Sequence, residues 1–488
     1  MNRTIGSSKT GILLTMVAGV MILMFIGAMI GSHDVAWGIR ISFISFFGVF
    51  GAWFAWKKPA YLFLVAIFAS STFPAIVYGQ WLSLAGRPGA TNFRLEYILF
   101  VVFVFLFLGR LKENIHTPLD LPVFTFFVIQ SLSLLVARMS GYAFGVGPAI
   151  RLIEGYAFFF LASRLTSSKQ IPVLITWVLC MAFVVGGVIV ATSVTGNQFL
   201  YANLFVDSPE NIQQEKFYTT FYQDYQSARI GYTIGDNLLL VALAFSLVMI
   251  FLNYRFRLPY YILILTVSMR ALVSGQRFWV VWLIATFVCA FAFAVYIQKK
   301  RWPRIVLRVL IPIVLMIIIL FGLFYSQKAW RAKINVLFER SVNTVEYIQS
   351  TSQSSGIILA WSQLLDDPQG FLLGFSPFRR DIPVDINFGM FVTIYRYGVI
   401  GLVVMLWMLA AIFYQGVKLL KLSVFQPIEQ ALICAVLIFI VIQFGNGFIR
   451  GTAFNENGIA LIVFSTMLGW IQVIAVKSQK DLINENAV

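Results

Sequence analysis

The candidate functional residues of this chain are arginines and carboxylates that lie in or beside long apolar segments. The predicted membrane topology places five of them on the non-cytoplasmic side: Arg229, Arg277, Arg379, Arg380 and Asp385. Charged groups at or within membrane spans are energetically expensive, so such a cluster predicts a functional site. Guanidinium groups donate hydrogen bonds in a planar fork, which favours a diphosphate or another anionic ligand.

The composition indicates what kind of protein must position these groups. Hydrophobic residues make up 60% of the 488 positions and charged residues only 11%, whereas soluble proteins carry about 25% charged residues. The mean hydropathy is +0.85. The sequence therefore predicts an all-α, polytopic integral membrane protein.

The chain contains about fourteen segments that are long and apolar enough to cross a bilayer, which takes roughly 17–25 residues each. The predicted spans are 11–31, 36–56, 59–79, 94–109, 121–137, 146–163, 171–192, 233–252, 258–273, 278–297, 305–325, 388–415, 428–446 and 457–476. The weakest are the third, which contains Pro74, and the sixth, which contains Arg151 and Glu154. A re-entrant or interfacial segment at either place would change the topology.

The net charge of +16 reflects the orientation of the chain in the membrane and does not indicate binding to nucleic acid. Basic residues are concentrated in alternate short loops, as at Lys57, Lys58 and Lys299–Arg301. With both termini cytoplasmic, these loops all lie inside, as the positive-inside rule requires. The expected partner of this charge is the lipid bilayer, with its anionic inner leaflet, and not nucleic acid.

Two long polar loops lie on the opposite side, at 193–232 and 326–387. Loops longer than about 12–15 residues in a compact fold are usually functional. The first mixes aromatic residues with amides and carboxylates, which suits a carbohydrate, although an interfacial aromatic belt explains it equally well. The loops divide the chain into N-terminal helices 1–192, helices and first loop 193–325, a large loop 326–387 and C-terminal helices 388–488.

The cysteines and histidines predict neither a metal site nor a cofactor. Cys180, Cys289 and Cys434 all fall inside apolar spans and read as small core residues. His33 and His116 lie far apart in sequence and have no candidate partner ligand.

Three short segments carry a family pattern. Residues 228–240 read ARIGYTIGDNLLL, an Arg-x-Gly…Asn element that opens a span. Residues 274–282 read SGQRFWVVW, which is similar to a Ser-x-Arg-Gly motif, with Gln276 inserted and Phe278 in place of the small residue. Residues 366–402 read DDPQGFLLGFSPFRRDIPVDINFGMFVTIYRYGVIGL and end in Gly-x-x-Gly-Leu. Together they resemble the O-antigen ligase and polymerase superfamily over about residues 228–415.

The resemblance implies a GT-C-like fold in the bacterial inner membrane, with a site that faces the periplasm. The expected activity is transfer of a glycan from a polyprenyl-diphosphate donor to a lipid-linked acceptor. A chain-length regulator and a flippase are the further partners that it implies. The ligases of the superfamily carry a histidine near the end of the large loop, where this chain has Asp385 and Asn387. The ending D-x-N…Y-G-x-x-G is more similar to polymerases of O-antigen and exopolysaccharide.

Within this scheme each candidate residue has an expected role. The residues expected to bind the diphosphate are Arg229, Arg270, Arg277 and Arg380. The residues expected to contact the rest of the substrate are Arg379, Arg396 and Asn237. Asp385 is the expected general base, assisted by Asn387. Structural alternatives stay open, because an arginine can snorkel to the interface and an aspartate can cap a helix.

Other classes of function remain alternatives. An O-antigen ligase would use the same donor with a different acceptor. A flippase for lipid-linked oligosaccharides would also have about fourteen spans, but it would have little need for the 326–387 loop. Peptidoglycan polymerases combine many spans with a large outer loop, and their motifs are not evident in this sequence.

Overall fold

The computed structural model describes the helical parts of the chain that can be placed. They are residues 57–72, 117–141, 146–195, 236–252, 257–273, 277–298, 361–375, 389–422, 425–450 and 458–486, with the single positions 303, 318 and 322. The regular structure of these residues is helical, without strands.

Eleven α-helices are defined within the described residues. In chain order they are α1 (Leu62–Thr72), α2 (Asp120–Met139), α3 (Val146–Leu165), α4 (Ile171–Thr195), α5 (Asp236–Phe251), α6 (Leu258–Val273), α7 (Arg277–Ile297), α8 (Pro368–Leu373), α9 (Gly389–Leu420), α10 (Pro427–Arg450) and α11 (Gly458–Asn486).

Four of these helices are long and apolar enough to cross a membrane. The spanning stretches are Asp120–Met139, Ile171–Val188, Thr393–Leu420 and Pro427–Gly445. In lipid, the backbone polar groups must bond within the chain, and a helix achieves this by itself. The prediction of an all-α membrane protein is thus confirmed. The count of fourteen spans and the GT-C-like arrangement stay predictions.

The helices begin and end close to the predicted positions. The span predicted at 171–192 is Ile171–Thr195, and the one predicted at 278–297 is Arg277–Ile297. The sixth span, one of the two weakest because it contains Arg151 and Glu154, lies in the continuous helix α3. The third is helical over Leu62–Thr72, and Pro74 lies outside the described residues.

Helix α5 forms the centre of the described bundle. Every residue from Leu238 to Phe251 is buried, and α5 packs against α4, α6, α7, α10 and α11. A helix that is apolar all round is buried by its neighbours on every side. Its first turn is therefore surrounded by the ends of other helices, and polar side chains there must find partners within the protein.

Helices α3 and α11 form the most extensive helix pair in the described part of the chain. Small residues allow the close approach, since a Cβ on Gly469 would lie 2.7 Å from the Ala162 Cβ and 2.8 Å from the Phe159 carbonyl oxygen. Close backbone approach through small residues is a main source of helix association in membranes.

Two ion pairs join helix ends that the sequence assigns to the cytoplasmic side. Arg164 at the end of α3 contacts Asp120 at the start of α2, at 2.8 Å. Lys477 of α11 contacts Glu429 in the first turn of α10, at 3.5 Å. In an alternating topology the two helix ends of each pair lie on the same side of the bilayer. The contacts are therefore consistent with the directions predicted for these four helices.

Candidate functional site

The ends of four helices meet where the sequence predicts the outer face. In the predicted topology, helices α5 and α7 begin at this face and helices α6 and α10 end at it. A short connection at 252–257 makes α5 and α6 antiparallel neighbours. Helix α5 packs against the other three, and α7 also packs against α6 and α10. Polar side chains from all four helices lie at or near this end, which we call the arginine end: Asn237, Arg270, Trp279 and Gln443.

Arg270 and Trp279 form a buried contact at the arginine end. Arg270 lies in the last turn of α6, and its guanidinium carbon is 4.4 Å from the centroid of the Trp279 ring. Both side chains have an exposed fraction of 0%. A desolvated cation–π contact is worth about 2 kcal/mol, so the pair ties the end of α6 to the first turn of α7. Among the described residues, the Trp279 indole nitrogen has no hydrogen-bond partner.

Helix α7 begins at Arg277, two residues before Trp279. The Arg270–Trp279 contact therefore holds the turn from which Arg277 extends. Arg270 is one of the residues predicted to bind the diphosphate, and the structure shows it buried against Trp279. Its role at the diphosphate stays a prediction. Its positive charge still acts over distance, because the protein interior screens charge far less than water does.

Asn237 and Gln443 join the start of α5 to α10. The Gln443 side-chain amide donates to the Asn237 side-chain oxygen at 2.8 Å, and the two residues are 206 positions apart in sequence. Gln443 is buried and Asn237 is half-buried. The sequence predicts Asn237 as a substrate contact. The structure gives it a helix-joining hydrogen bond, which sequence reasoning did not anticipate.

Paired substitutions separate these two roles of Asn237. If the residue serves only to join helices, Asn237→Ala and Gln443→Ala should each lower stability by a similar amount, about 0.6 kcal/mol and at most about 1.7 kcal/mol, with equal effects on activity. If Asn237 also binds substrate, Asn237→Ala should reduce activity well beyond Gln443→Ala. Thermal unfolding in detergent and an activity assay on the same preparations distinguish these outcomes.

A second polar region surrounds a break in α9. Gly398 has φ +69° and ψ −179°, which interrupts the helix. Arg396 lies just before this break and is 8% exposed. The Ser133 hydroxyl of α2 donates to the Arg396 carbonyl oxygen at 2.6 Å. The predicted substrate residue Arg396 is thus on a segment that another helix holds in place.

Residues 361–375 of the large loop pack against the same break. The Phe375 N–H donates to the Tyr395 carbonyl oxygen at 2.8 Å, and the Tyr395 hydroxyl donates to the Gln363 side-chain oxygen at 3.0 Å. Leu364, Phe375 and Tyr395 form a small apolar cluster. Asp367 is the N-cap of helix α8, and its carboxylate accepts from the N–H groups of Gln369 and Gly370, as N-cap residues do.

Aromatic and amide side chains fill the space between α2, α3 and α9. Phe126 contacts the rings of both Tyr156 and Tyr397, with centroids 6.1 and 5.8 Å away. Gln130 is buried beside them. Neither atom of its amide has a hydrogen bond of ordinary geometry within the described residues. This packing continues the contact that Ser133 makes one turn further along α2.

Five predicted site residues lie outside the described residues, so their mutual placement stays a prediction. They are Arg229, Arg379, Arg380, Asp385 and Asn387. For Arg277, the structure describes its position at the start of α7.

Sequence reasoning missed Ser133, Trp279 and Gln443 as parts of these regions. Trp279 stands inside the quoted segment SGQRFWVVW, so its proximity to Arg277 was a usable signal. Ser133 and Gln443 are polar residues in largely apolar helices, and such residues are often helix-joining groups. Their partners could not be read from local spacing.

No protein-family model and no curated protein matches the sequence. The family resemblance therefore rests on the three quoted segments alone, and the activity that it implies is a proposal.

Proposed function

We propose that the protein is a membrane glycosyltransferase that polymerises polyprenyl-diphosphate-linked oligosaccharide units into a bacterial surface polysaccharide. The observation that carries the proposal is the buried Arg270–Trp279 contact beside Arg277, within the segment that resembles the superfamily's arginine motif. An intramembrane arginine is expensive, so keeping Arg270 buried against the first turn of the helix that begins at Arg277 calls for a function. A diphosphate headgroup at membrane depth provides that function.

The chemistry follows from where charge develops. The acceptor hydroxyl oxygen bonds to the anomeric carbon of the donor while the bond from that carbon to the diphosphate oxygen breaks. The electron pair leaves with the diphosphate, and the hydroxyl proton passes to a base, for which Asp385 is our candidate. Guanidinium groups held in place at the leaving diphosphate stabilise the transition state more than the ground state.

The proposal assigns different roles to the arginines. Arg277, Arg229, Arg270 and Arg380 bind the diphosphate, and Arg270 also anchors the turn that carries Arg277. Arg379, Arg396 and Asn237 contact the remaining substrate. The protein would lie in the inner membrane with both termini cytoplasmic and the reaction on the periplasmic face. O-antigen, capsule and exopolysaccharide are the candidate products.

A reconstituted reaction tests the proposal. Purified protein in nanodiscs is mixed with polyprenyl-diphosphate-linked repeat units from its own host, and the lipid-linked glycans are separated by size. A ladder of longer lipid-linked glycans is the expected result.

Two other results would contradict the polymerase. Transfer to an added lipid core without a ladder would make the protein a ligase. Unchanged glycan length, with lipid-linked units crossing a sealed bilayer, would make it a flippase.

A further inference from the structure

The break in α9 is held by contacts from two other parts of the chain. Two consecutive backbone carbonyls before the break accept hydrogen bonds from outside the helix. Tyr395 accepts from the Phe375 N–H at 2.8 Å, and Arg396 accepts from the Ser133 hydroxyl at 2.6 Å. The backbone of Arg396 is therefore restrained from the loop side and from α2 together.

Two glycines bring the backbones of α8 and α9 into direct contact. A Cβ on Gly374 would overlap the carbonyl group of Arg396, and a Cβ on Gly398 would overlap the carbonyl oxygen of Leu372. Both glycines have positive φ, +74° and +69°, a region that residues with side chains seldom adopt. We call this pair of reciprocal contacts the glycine clasp.

Arg396 is the charged residue that the clasp and Ser133 jointly fix. It is 8% exposed on a helix whose stretch Thr393–Leu420 is apolar and long enough to cross a membrane. Ser133 is wholly buried, and its bond to Arg396 links residues 263 positions apart. The break leaves backbone carbonyl groups without their partners in the helix. The hydrogen bond from Ser133 gives the Arg396 carbonyl a partner within the protein.

From these contacts, and resting on the proposed function, we infer that Ser133 is a positioning residue for Arg396. It holds the Arg396 backbone so that the guanidinium meets the part of the lipid-linked donor beyond its diphosphate. The clasp provides the same restraint from the loop side. Arg396 then contributes to donor binding, and Ser133 contributes only through Arg396.

Helix α2 offers a closely matched control. The Ser131 hydroxyl donates to the carbonyl oxygen of Phe127 at 2.9 Å, within its own helix. Ser131→Ala thus removes a serine hydroxyl from the same helix without touching α9. Ser133→Thr keeps the hydroxyl that Ser133→Ala removes.

The test measures polymerisation against donor concentration for the full-length protein in nanodiscs. We expect Ser133→Ala to raise the KM for the lipid-linked donor about fivefold to tenfold, as loss of one positioning hydrogen bond predicts, with kcat little changed. Ser133→Thr should restore most of the KM, and Ser131→Ala should match the wild type. A role in helix packing alone would lower the yield of folded protein and leave the KM unchanged.

Hydrogen exchange supplies a readout that does not depend on activity. Peptides covering 371–375 and 395–401 should exchange faster in Ser133→Ala than in Ser131→Ala. A wild-type ladder with an unchanged KM in Ser133→Ala would overturn the positioning role while leaving the polymerase intact. Absence of a ladder from the wild-type protein would instead refute the polymerase and, with it, the donor-binding role of Arg396.

Discussion

Arg277→Ala should lower chain extension by about 10²–10³-fold, the usual cost of removing one group that stabilises developing negative charge. Arg277→Lys should be nearly as inactive, because an ammonium keeps the charge and loses the planar fork that grips two phosphate oxygens. Both variants should insert and fold, since α7 is held by its apolar length and by the Arg270–Trp279 contact. The measurement is the rate of ladder formation by equal amounts of purified, monodisperse protein.

Arg138→Ala is the matched control for Arg277. Arg138 lies in the last turn of α2, at the same predicted side of the membrane, and it is exposed. Its loss removes one positive charge from that side without disturbing a buried contact, so activity should stay within about twofold of the wild type, as for a solvated surface charge. Near-normal polymer from Arg277→Ala would refute the idea of an arginine clamp on the diphosphate.

Of all the substitutions proposed, Gly398→Ala should lower the free energy of unfolding the most. At φ +69° and ψ −179°, a backbone region that is occupied almost only by glycine, a residue with a Cβ costs about 1–3 kcal/mol. Its Cβ would also overlap the Leu372 carbonyl oxygen, and forcing extra atoms into a packed site costs about 1–3 kcal/mol. The break in α9 must shift, which separates α8 from Tyr395 and Arg396. We expect a lower unfolding temperature in detergent and loss of polymerisation.

Gly187→Ala supplies the comparison. Gly187 lies in α4, and a Cβ there would have no atom within 4 Å. Alanine is favoured over glycine inside a helix by roughly 0.5–1 kcal/mol, so this variant should be at least as stable as the wild type. Equal stability of Gly398→Ala and the wild type would show that the backbone contact at the break is dispensable.

The positions of the helices could be predicted from the sequence because lipid imposes a simple requirement. An apolar segment of sufficient length must satisfy its own backbone groups, and the α-helix is the local way to do so. This is why the bounds of α4 and α7 lie within a few residues of the predicted spans. The break in α9 had only a weak signal, because glycines are common in membrane helices.

The roles of individual polar residues were harder to predict. Asn237 was expected at a ligand because it stands in an Arg-x-Gly…Asn element, and its described partner is Gln443 on another helix. Arg270 was predicted to bind the diphosphate because it is close to Arg277 in sequence, and the structure places it against the face of Trp279. For both residues the sequence predicts a polar side chain at the end of a helix and cannot identify its neighbour on another helix.

Composition and hydropathy were enough to predict a helical membrane protein, the positions of its main helices and the arginines that lie at the end of an apolar helix. These properties depend on short stretches of chain, which are local quantities. The contact of Arg270 with Trp279 and the hydrogen bond from Ser133 to the carbonyl of Arg396 are visible only in the folded chain. Such contacts join residues on different helices, up to 263 positions apart. They depend on how whole helices pack, which hydropathy does not encode.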